Sequence, residues 1–432
     1  MAREQRELKV TRQQVGGTEL LSPSEQAALA GEQEPKRSNW ERYAQRAWQY
    51  AQRIIEYVRP AQERTTLTPA QQERKQRLES ERRVLFQHVD NIFDEQKRPD
   101  VLKQLLGANI TIQGKTYSLD RFVGAGGYGA VFGASLDGKP GYIIKLSQTF
   151  DRDYLNKPLP PDASEAQQGS VTRARSAVVE ISSLHHLDSD EPDHPFPHYY
   201  GGALLPDPDH KPFTPDRRIA AIVMEEIDGA DLNNFIQPEG ELARDNPEVV
   251  LNWVRQLVEA VAQMHEQRVL HLDLKPDNVM VQHADGRLRL VDFGAAQRTK
   301  FRDKETNLPE WTQKKMVLFT PTYVTDAERN QVTIARDIYS LGVVIEQLLY
   351  GKPSAEQLND ALKLQSDRAE LLGKLPEYLQ TVGELAKKMT VQDPTQRIDM
   401  AAVQQTIADL PTFEDAVAPA EAVLVDEEEK VA

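Results

Sequence analysis

The chain is 432 residues long with 39% hydrophobic and 28% charged residues, enough for one large two-part domain plus an accessory region. No apolar run comes near the roughly 20 residues that span a bilayer, Met1-Ala2-Arg3-Glu4 opens no secretory leader, and the absence of cysteine excludes disulfides, thiolate chemistry and Cys-ligated zinc. The net charge of −15 is uneven: residues 1–115 carry 20 basic and 16 acidic side chains (+4) and the remainder 32 and 51 (−19), which argues against nucleic acid as a partner and favours basic substrates, unless the acidic surface is simply solvated.

In chain order, residues 1–37 are polar and rich in Gln and Glu, and disorder is expected there apart from a short helix after Ser22-Pro23-Ser24-Glu25. Residues 38–115 form a predicted helical accessory region. From Ser38 to Arg59 the apolar Trp40, Ala44, Trp48, Ala51, Ile55 and Val58 recur on one side, and Pro60 ends the pattern. A second helix opens at Thr68-Pro69-Ala70-Gln71, with Thr68 as N-cap, and runs to about Asp94 through Leu78, Leu85, Val89, Ile92 and Phe93. The two helices either form a hairpin packed on the rest of the chain or offer a surface to a regulatory partner; intramolecular packing is the expectation.

After Lys115 the pattern turns strand-like in Tyr117-Ser118-Leu119, Arg121-Phe122-Val123, Ala130-Val131-Phe132 and Gly141 to Leu146. Between them Gly124, Gly126, Gly127 and Gly129 satisfy G-x-G-x-x-G. Such spacing is either an ordinary glycine-rich hairpin or a phosphate cover, and the strand that follows disfavours a dinucleotide fold, which needs a helix there. Lys145 closes the next strand and can place a fixed positive charge on phosphates. Glu180, on the apolar helical stretch Ala177 to Leu184, is its expected partner; Glu165 competes but lacks such spacing. A Pro- and Gln-containing insertion around Lys157–Ser170 separates Lys145 from Glu180.

Beyond Asn246-Pro247 helices predominate, so a β-rich half precedes an α-rich one, an α+β pattern. An amphipathic helix through Val250, Leu257 and Met264 leads into His271-Leu272-Asp273-Leu274-Lys275-Pro276-Asp277-Asn278. There Asp273 would orient a hydroxyl and accept its proton, Lys275 would neutralise a transferring phosphoryl group, and Asn278 would hold a metal. Leu288 to Val291 then runs into Asp292-Phe293-Gly294, where a carboxylate at a strand end can bridge Mg2+ to phosphates. Single triplets arise by chance; this ordered set does not arise easily from core packing.

Over roughly residues 117–410 these motifs resemble the eukaryotic-type protein kinase family, with a catalytic loop similar to that of its serine/threonine members. The resemblance implies a two-lobed fold, a β-rich N-lobe (116–226) and an α-helical C-lobe (232–412), within a domain of residues 116–412 that carries an N-terminal helical extension and an acidic disordered tail (413–432). It implies ATP and Mg2+ as cofactors and a protein Ser/Thr substrate. Met224 would be the gatekeeper, Glu225 and Ile227 the backbone contacts to adenine, and Asp231 a ribose contact. Val131, Ile143 and Met280 would sandwich the ring. His271, Phe293 and Gly294 would support the catalytic motifs, Asp337 would brace the catalytic loop, and Arg397 would pair with Glu328.

Two departures stand out. Leu272 occupies a position where many regulated members carry an arginine that clamps a phosphorylated loop, so activity without that phosphorylation is expected. Thr320-Pro321-Thr322-Tyr323-Val324-Thr325-Asp326-Ala327-Glu328 replaces the usual Ala-Pro-Glu ending. The alternatives are a pseudokinase scaffold acting through its N-terminal helices and a small-molecule kinase. The expected location is the cytoplasm, or a host cell reached without a signal peptide as a bacterial effector, and no membrane anchor is expected.

Overall fold

The computed structural model describes residues 67–126, 129–155, 163–191, 193–211, 214–298, 301–302, 309–310, 320–329, 331–353 and 361–413. The predicted helix Ser38–Arg59, the short helix after Ser22, the acidic tail beyond 413 and Gly127 lie outside the described residues.

Pro69 opens helix α1 (Pro69–His88), a position where its missing N–H is no loss. The backbone then tightens into a 3-10 turn, Val89–Phe93, and helix α2 (Arg98–Leu105) follows. The periodic Leu85, Val89 and Ile92 are fully buried, each stabilising the fold by roughly 1.5–3 kcal/mol. Helix α2 lies inside the region expected to be helical, although only Val101 and Leu105 of its eight residues are buried and no period marks it; Asn109–Ile112 in the same region is a strand instead, because it pairs with Lys115–Ser118.

Strands β1 (Asn109–Ile112), β2 (Lys115–Gly126), β3 (Gly129–Leu136) and β4 (Lys139–Leu146) form an antiparallel meander. The two strand segments expected at Tyr117–Leu119 and Arg121–Val123 are one strand with register shifts at Leu119/Arg121 and Phe122/Gly124. After the short β5 (Phe150–Asp151), helix α3 (Glu165–Leu187) starts at a capping box between Ser164 and Gln167. The insertion after Lys157 therefore already gives way to helix at Glu165. Strands β6 (Tyr199–Pro206) and β7 (Arg217–Glu225) complete a seven-stranded sheet in the order β1-β2-β3-β4-β7-β5, with β6 also paired to β7.

Strand β7 explains the layering. Arg218 to Met224 are all buried, and they alternate strictly between two cores. Ile219, Ala221 and Val223 join Leu85, Val89, Ile92 and Leu105 in a core on one face. Ala220, Ile222 and Met224 join Ala174, Ala177 and Leu184 of α3 on the other. The second predicted N-terminal helix thus packs within the chain, as a cap on the outer face of the sheet.

Strand β8 (Gly229–Asp231) leaves the sheet for the helical half: α4 (Glu241–Asp245), α5 (Pro247–Glu266), β9 (Val269–Leu270), β10 (Val279–Gln282), β11 (Leu288–Leu290), β12 (Gln297–Arg298), α6 (Ile334–Tyr350), α7 (Ala361–Gly373), α8 (Glu377–Met389) and α9 (Met400–Ala408). The apolar face expected of α5 is buried from Val250 to Met264. A Cβ on Gly342 would meet the Met389 Cβ at 2.7 Å, so glycine sets how closely α6 and α8 approach. The fold is α+β. Among the described residues no helix is long and apolar enough to cross a membrane.

Candidate active site

The glycine-rich hairpin joins β2 to β3, pairing Gly124 with Val131 and Gly126 with Gly129. Its glycines differ in what requires them. Gly129 has φ +146°, and a Cβ there would meet the Leu146 carbonyl oxygen at 2.8 Å, so the hairpin itself demands it. A Cβ on Gly124 or Gly126 would meet nothing within 4 Å. Among the described residues no packing explains those two, and a ligand could approach the backbone there.

Register partners lie on one face of a sheet, so Val131 with Lys145 and Ile143 with Met224 all face α3 rather than the helical cap. Lys145, only 6% exposed, sits between two carboxylates: its Nζ is 2.8 Å from Glu180 Oε2 and 2.8 Å from Asp292 Oδ1. Glu180 is therefore the partner that α3 supplies, whereas Glu165 lies exposed in its first turn. Burial alone would lower the Lys145 pKa, but Asp292 and Glu180 outweigh it and raise it, keeping the ammonium charged. Burial, with Asp292 adding to it, pushes Glu180 up to about 7 against the pull of Lys145. Burial also acts to raise Asp292, but the Lys145 charge and hydrogen bond prevail and hold it below the usual carboxylate range. One cation thus serves two acids.

Asp292 adopts a left-handed backbone, φ +59°, unusual outside glycine. The Ser176 hydroxyl on α3 donates to the Gly294 carbonyl at 2.7 Å, tying the helix to this turn. Phe293 stacks edge-on with Phe196 at 5.6 Å between centroids and packs at 5.1 Å from His271, so one aromatic column links the turn to the catalytic loop.

In that loop Asp273 gathers the other functional groups. Lys275 Nζ lies 3.2 Å from its Oδ2, and the Asn278 amide donates to its main-chain carbonyl at 2.8 Å. The Thr320 hydroxyl donates to Asp273 Oδ1 at 2.8 Å and accepts from Lys275 at 3.2 Å. The Val291 N–H donates to the Asn278 carbonyl at 2.9 Å, and the two metal-binding candidates flank the paired strands β10 and β11, Asn278 just before β10 and Asp292 just after β11. An amide oxygen and a carboxylate are the hard donors that magnesium takes.

The loop is braced from beneath. Asp337 accepts from the His271 and Leu272 N–H groups at 2.9 and 2.8 Å and from His265 at 2.9 Å. Burial acts to raise the Asp337 pKa, but the His265 hydrogen bond and charge, with His271 and the Leu272 N–H, hold it low. Leu272 itself has φ +65° and is buried with Leu270 and Val332 in a small apolar cluster. Arg336 donates to its carbonyl at 2.7 Å. Glu328 and Arg397 form a fully buried two-pronged ion pair at 2.9 and 3.0 Å.

Between the lobes, Met224 is buried at the end of β7, followed by Glu225 and the half-buried Ile227. The Glu226 N–H donates to the Gly141 carbonyl at 3.1 Å. Asp231 pairs with Met280 in the β8–β10 ladder, and its Oδ1 is buried without a hydrogen-bond partner. An orphaned acceptor there suits a ribose hydroxyl.

Sequence reasoning overlooked four contributors. Thr320 was noticed only as part of a divergent segment. Phe196, between Pro195 and Pro197, carries no local signal of its contact with Phe293. Arg289 donates to both the Glu225 carboxylate and the Phe196 carbonyl at 2.6 Å, and its signal was a lone arginine inside an apolar strand. Arg336, buried in the first turn of α6 beside Asp337, is the fourth.

Among known families, the sequence model described as the protein kinase domain matches residues 210–407. The match begins after Lys145 and Glu180, so the structure rather than this similarity unites them with the catalytic loop. The chain is 31% identical to the serine/threonine-protein kinase PrkC of Bacillus subtilis over 45% of this chain and 29% of that protein. It is 29% identical to the serine/threonine-protein kinase ULK3 of Rattus norvegicus over 44% and 39%, and to the serine/threonine-protein kinase PknA of Corynebacterium glutamicum over 59% and 45%. The matched stretches span less than half the length of each of these relatives.

Proposed function

This chain belongs to the eukaryotic-type protein kinase family, and from that premise we propose that it transfers the γ-phosphoryl group of ATP to serine or threonine hydroxyls of a protein. The observation that carries the reading is the Lys145 ammonium held at 2.8 Å from both Glu180 and Asp292. That arrangement joins a sheet strand, a helix and the turn after β11 around one cleft, and a structural core has no use for its excess negative charge.

Each residue has a task in this reading. Gly124 and Gly126 leave room for the phosphates, Lys145 pairs with them, and Glu180 holds Lys145 in place. Val131, Ile143 and Met280 enclose the adenine, the chain at Glu225 and Ile227 meets its edge, and Asp231 takes the ribose. Asp273 orients the acceptor hydroxyl and receives its proton, while Lys275 compensates charge on the group in transit. Asn278 and Asp292 would hold magnesium, which, when bound, neutralises charge on the phosphates. Thr320, bonded to both Asp273 and Lys275, holds the two in a fixed mutual orientation.

Incubation with radiolabelled ATP, magnesium and a basic protein such as histone tests this directly. Label on serine or threonine of the protein supports it. Label only on small alcohols, or nucleotide binding with no transfer at all, would replace it with a small-molecule kinase or a scaffold respectively.

A further inference from the structure

The helical cap touches three elements of the proposed nucleotide site, each through a polar or cationic contact in addition to apolar packing. At the exit from β4, the strand of Lys145, Asp90 accepts from the Thr149 N–H at 2.7 Å and from its hydroxyl at 2.5 Å. On α3, the Arg173 guanidinium lies 5.4 Å from the centre of the Phe93 ring. Arg173 precedes Glu180 by two helical turns and so shares its face. It also donates to Gln148 Oε1 at 2.9 and 2.5 Å, linking α3 to the same strand exit. On β2, the Arg98 guanidinium stacks 5.9 Å from the Phe122 ring, just ahead of Gly124, while its Nε is held by the Ile92 carbonyl at 2.8 Å.

We propose that Asp90, Phe93 and Arg98 are positioning residues, through which the helical cap, residues 69–105, holds α3 and the glycine-rich hairpin in the arrangement that pairs Glu180 with Lys145. This inference rests on the function proposed above. It supplies what the catalytic loop lacks: Leu272 is buried in an apolar cluster and cannot clamp a phosphorylated loop against α3. The cap performs that ordering permanently and from within the chain. Its three contacts meet the exit from β4, α3 and β2, whereas a cap that merely covered apolar surface would need only Leu85, Val89, Ile92 and Leu105.

The test uses the full chain with Phe93→Ala and Phe93→Trp, followed by hydrogen exchange without nucleotide and by steady-state kinetics. Loss of the ring should speed amide exchange over α3 about tenfold, the change produced by roughly 1.4 kcal/mol of lost contact, with α5 and α6 unaffected. The KM for ATP should rise by a similar factor, more than kcat falls, and tryptophan should restore both. Faster exchange throughout the protein with an unchanged KM would overturn the inference, making Phe93 an ordinary packing residue; so would exchange and kinetics identical to wild type. A wild-type protein that transfers no phosphoryl group would defeat the proposed function while leaving the exchange comparison decisive for the cap.

Discussion

Two buried ionic clusters in this molecule both set a basic side chain against carboxylates, yet they do opposite things. Arg397 and Glu328 are both fully buried and bonded in two parallel contacts, and the surrounding carbonyls of Ala335 and Val391 and the hydroxyl of Thr325 take up the remaining capacity. Charge is balanced there. At Lys145 one cation faces two carboxylates, one of which is held low and the other raised to about 7. A balanced pair fixes a fold, while an unbalanced one leaves an unmet demand for positive charge, which a metal ion held at Asp292 would supply.

The comparison breaks most visibly at Arg397. Arg397→Met leaves Glu328 buried and unpaired, and urea denaturation should show a loss of about 3–5 kcal/mol. A loss below about 1 kcal/mol would mean that the pair does not hold the fold. Lys145→Met should act in the reverse sense. Its turnover should fall about a hundredfold or more, yet its urea midpoint should move far less than that of Arg397→Met, because Glu180 can take up a proton near neutrality. Equal destabilisation in the two variants would erase the distinction.

Thr320→Ala sharpens the account of the catalytic loop. It removes the hydroxyl shared by Asp273 and Lys275, and kcat/KM should drop about tenfold, a loss near 1.4 kcal/mol, with recovery in Thr320→Ser. The smallest effect concerns pH. Glu180 has a folded pKa raised above its unfolded value, so its contribution to stability is present below about 4.3 and is lost as pH rises through about 7. Without nucleotide, the stability of wild type relative to Glu180→Gln should therefore decline across that window and level off above it. A flat difference in thermal midpoints would show that Glu180 is ionised throughout.

The residues proposed as catalytic were legible because the chemistry proposed for them leaves few substitutes: an acid, a lysine and an asparagine at fixed spacing, and an acid before Phe293 and Gly294. The partner of Lys145 was legible through the helical period around Glu180, despite the insertion that separates them. Pairing between Glu328 and Arg397 likewise followed from segments far apart in the chain. What stayed hidden depended on geometry alone. Thr320 reaches Asp273 through backbone placement that no local pattern encodes, and Arg289 reaches the Glu225 carboxylate and the Phe196 carbonyl from inside the apolar strand β11. Asp90 and Phe93 lie within the helix predicted to run to Asp94, but the contacts they make with Thr149 and Arg173 depend on three-dimensional placement, and Arg98 opens a helix α2 too short to show a period. The apolar stripe of α1 predicted packing, but a stripe does not name what it packs against.

The most direct test compares magnesium-dependent transfer of labelled phosphate to a protein acceptor by the wild type and by Asp292→Ala. The account predicts robust serine or threonine labelling by the wild type and a loss of at least about a thousandfold in the variant, with the folded state intact by circular dichroism. Comparable labelling by the two proteins would contradict it, since Asp292 would then have no part in the chemistry assigned to this cleft.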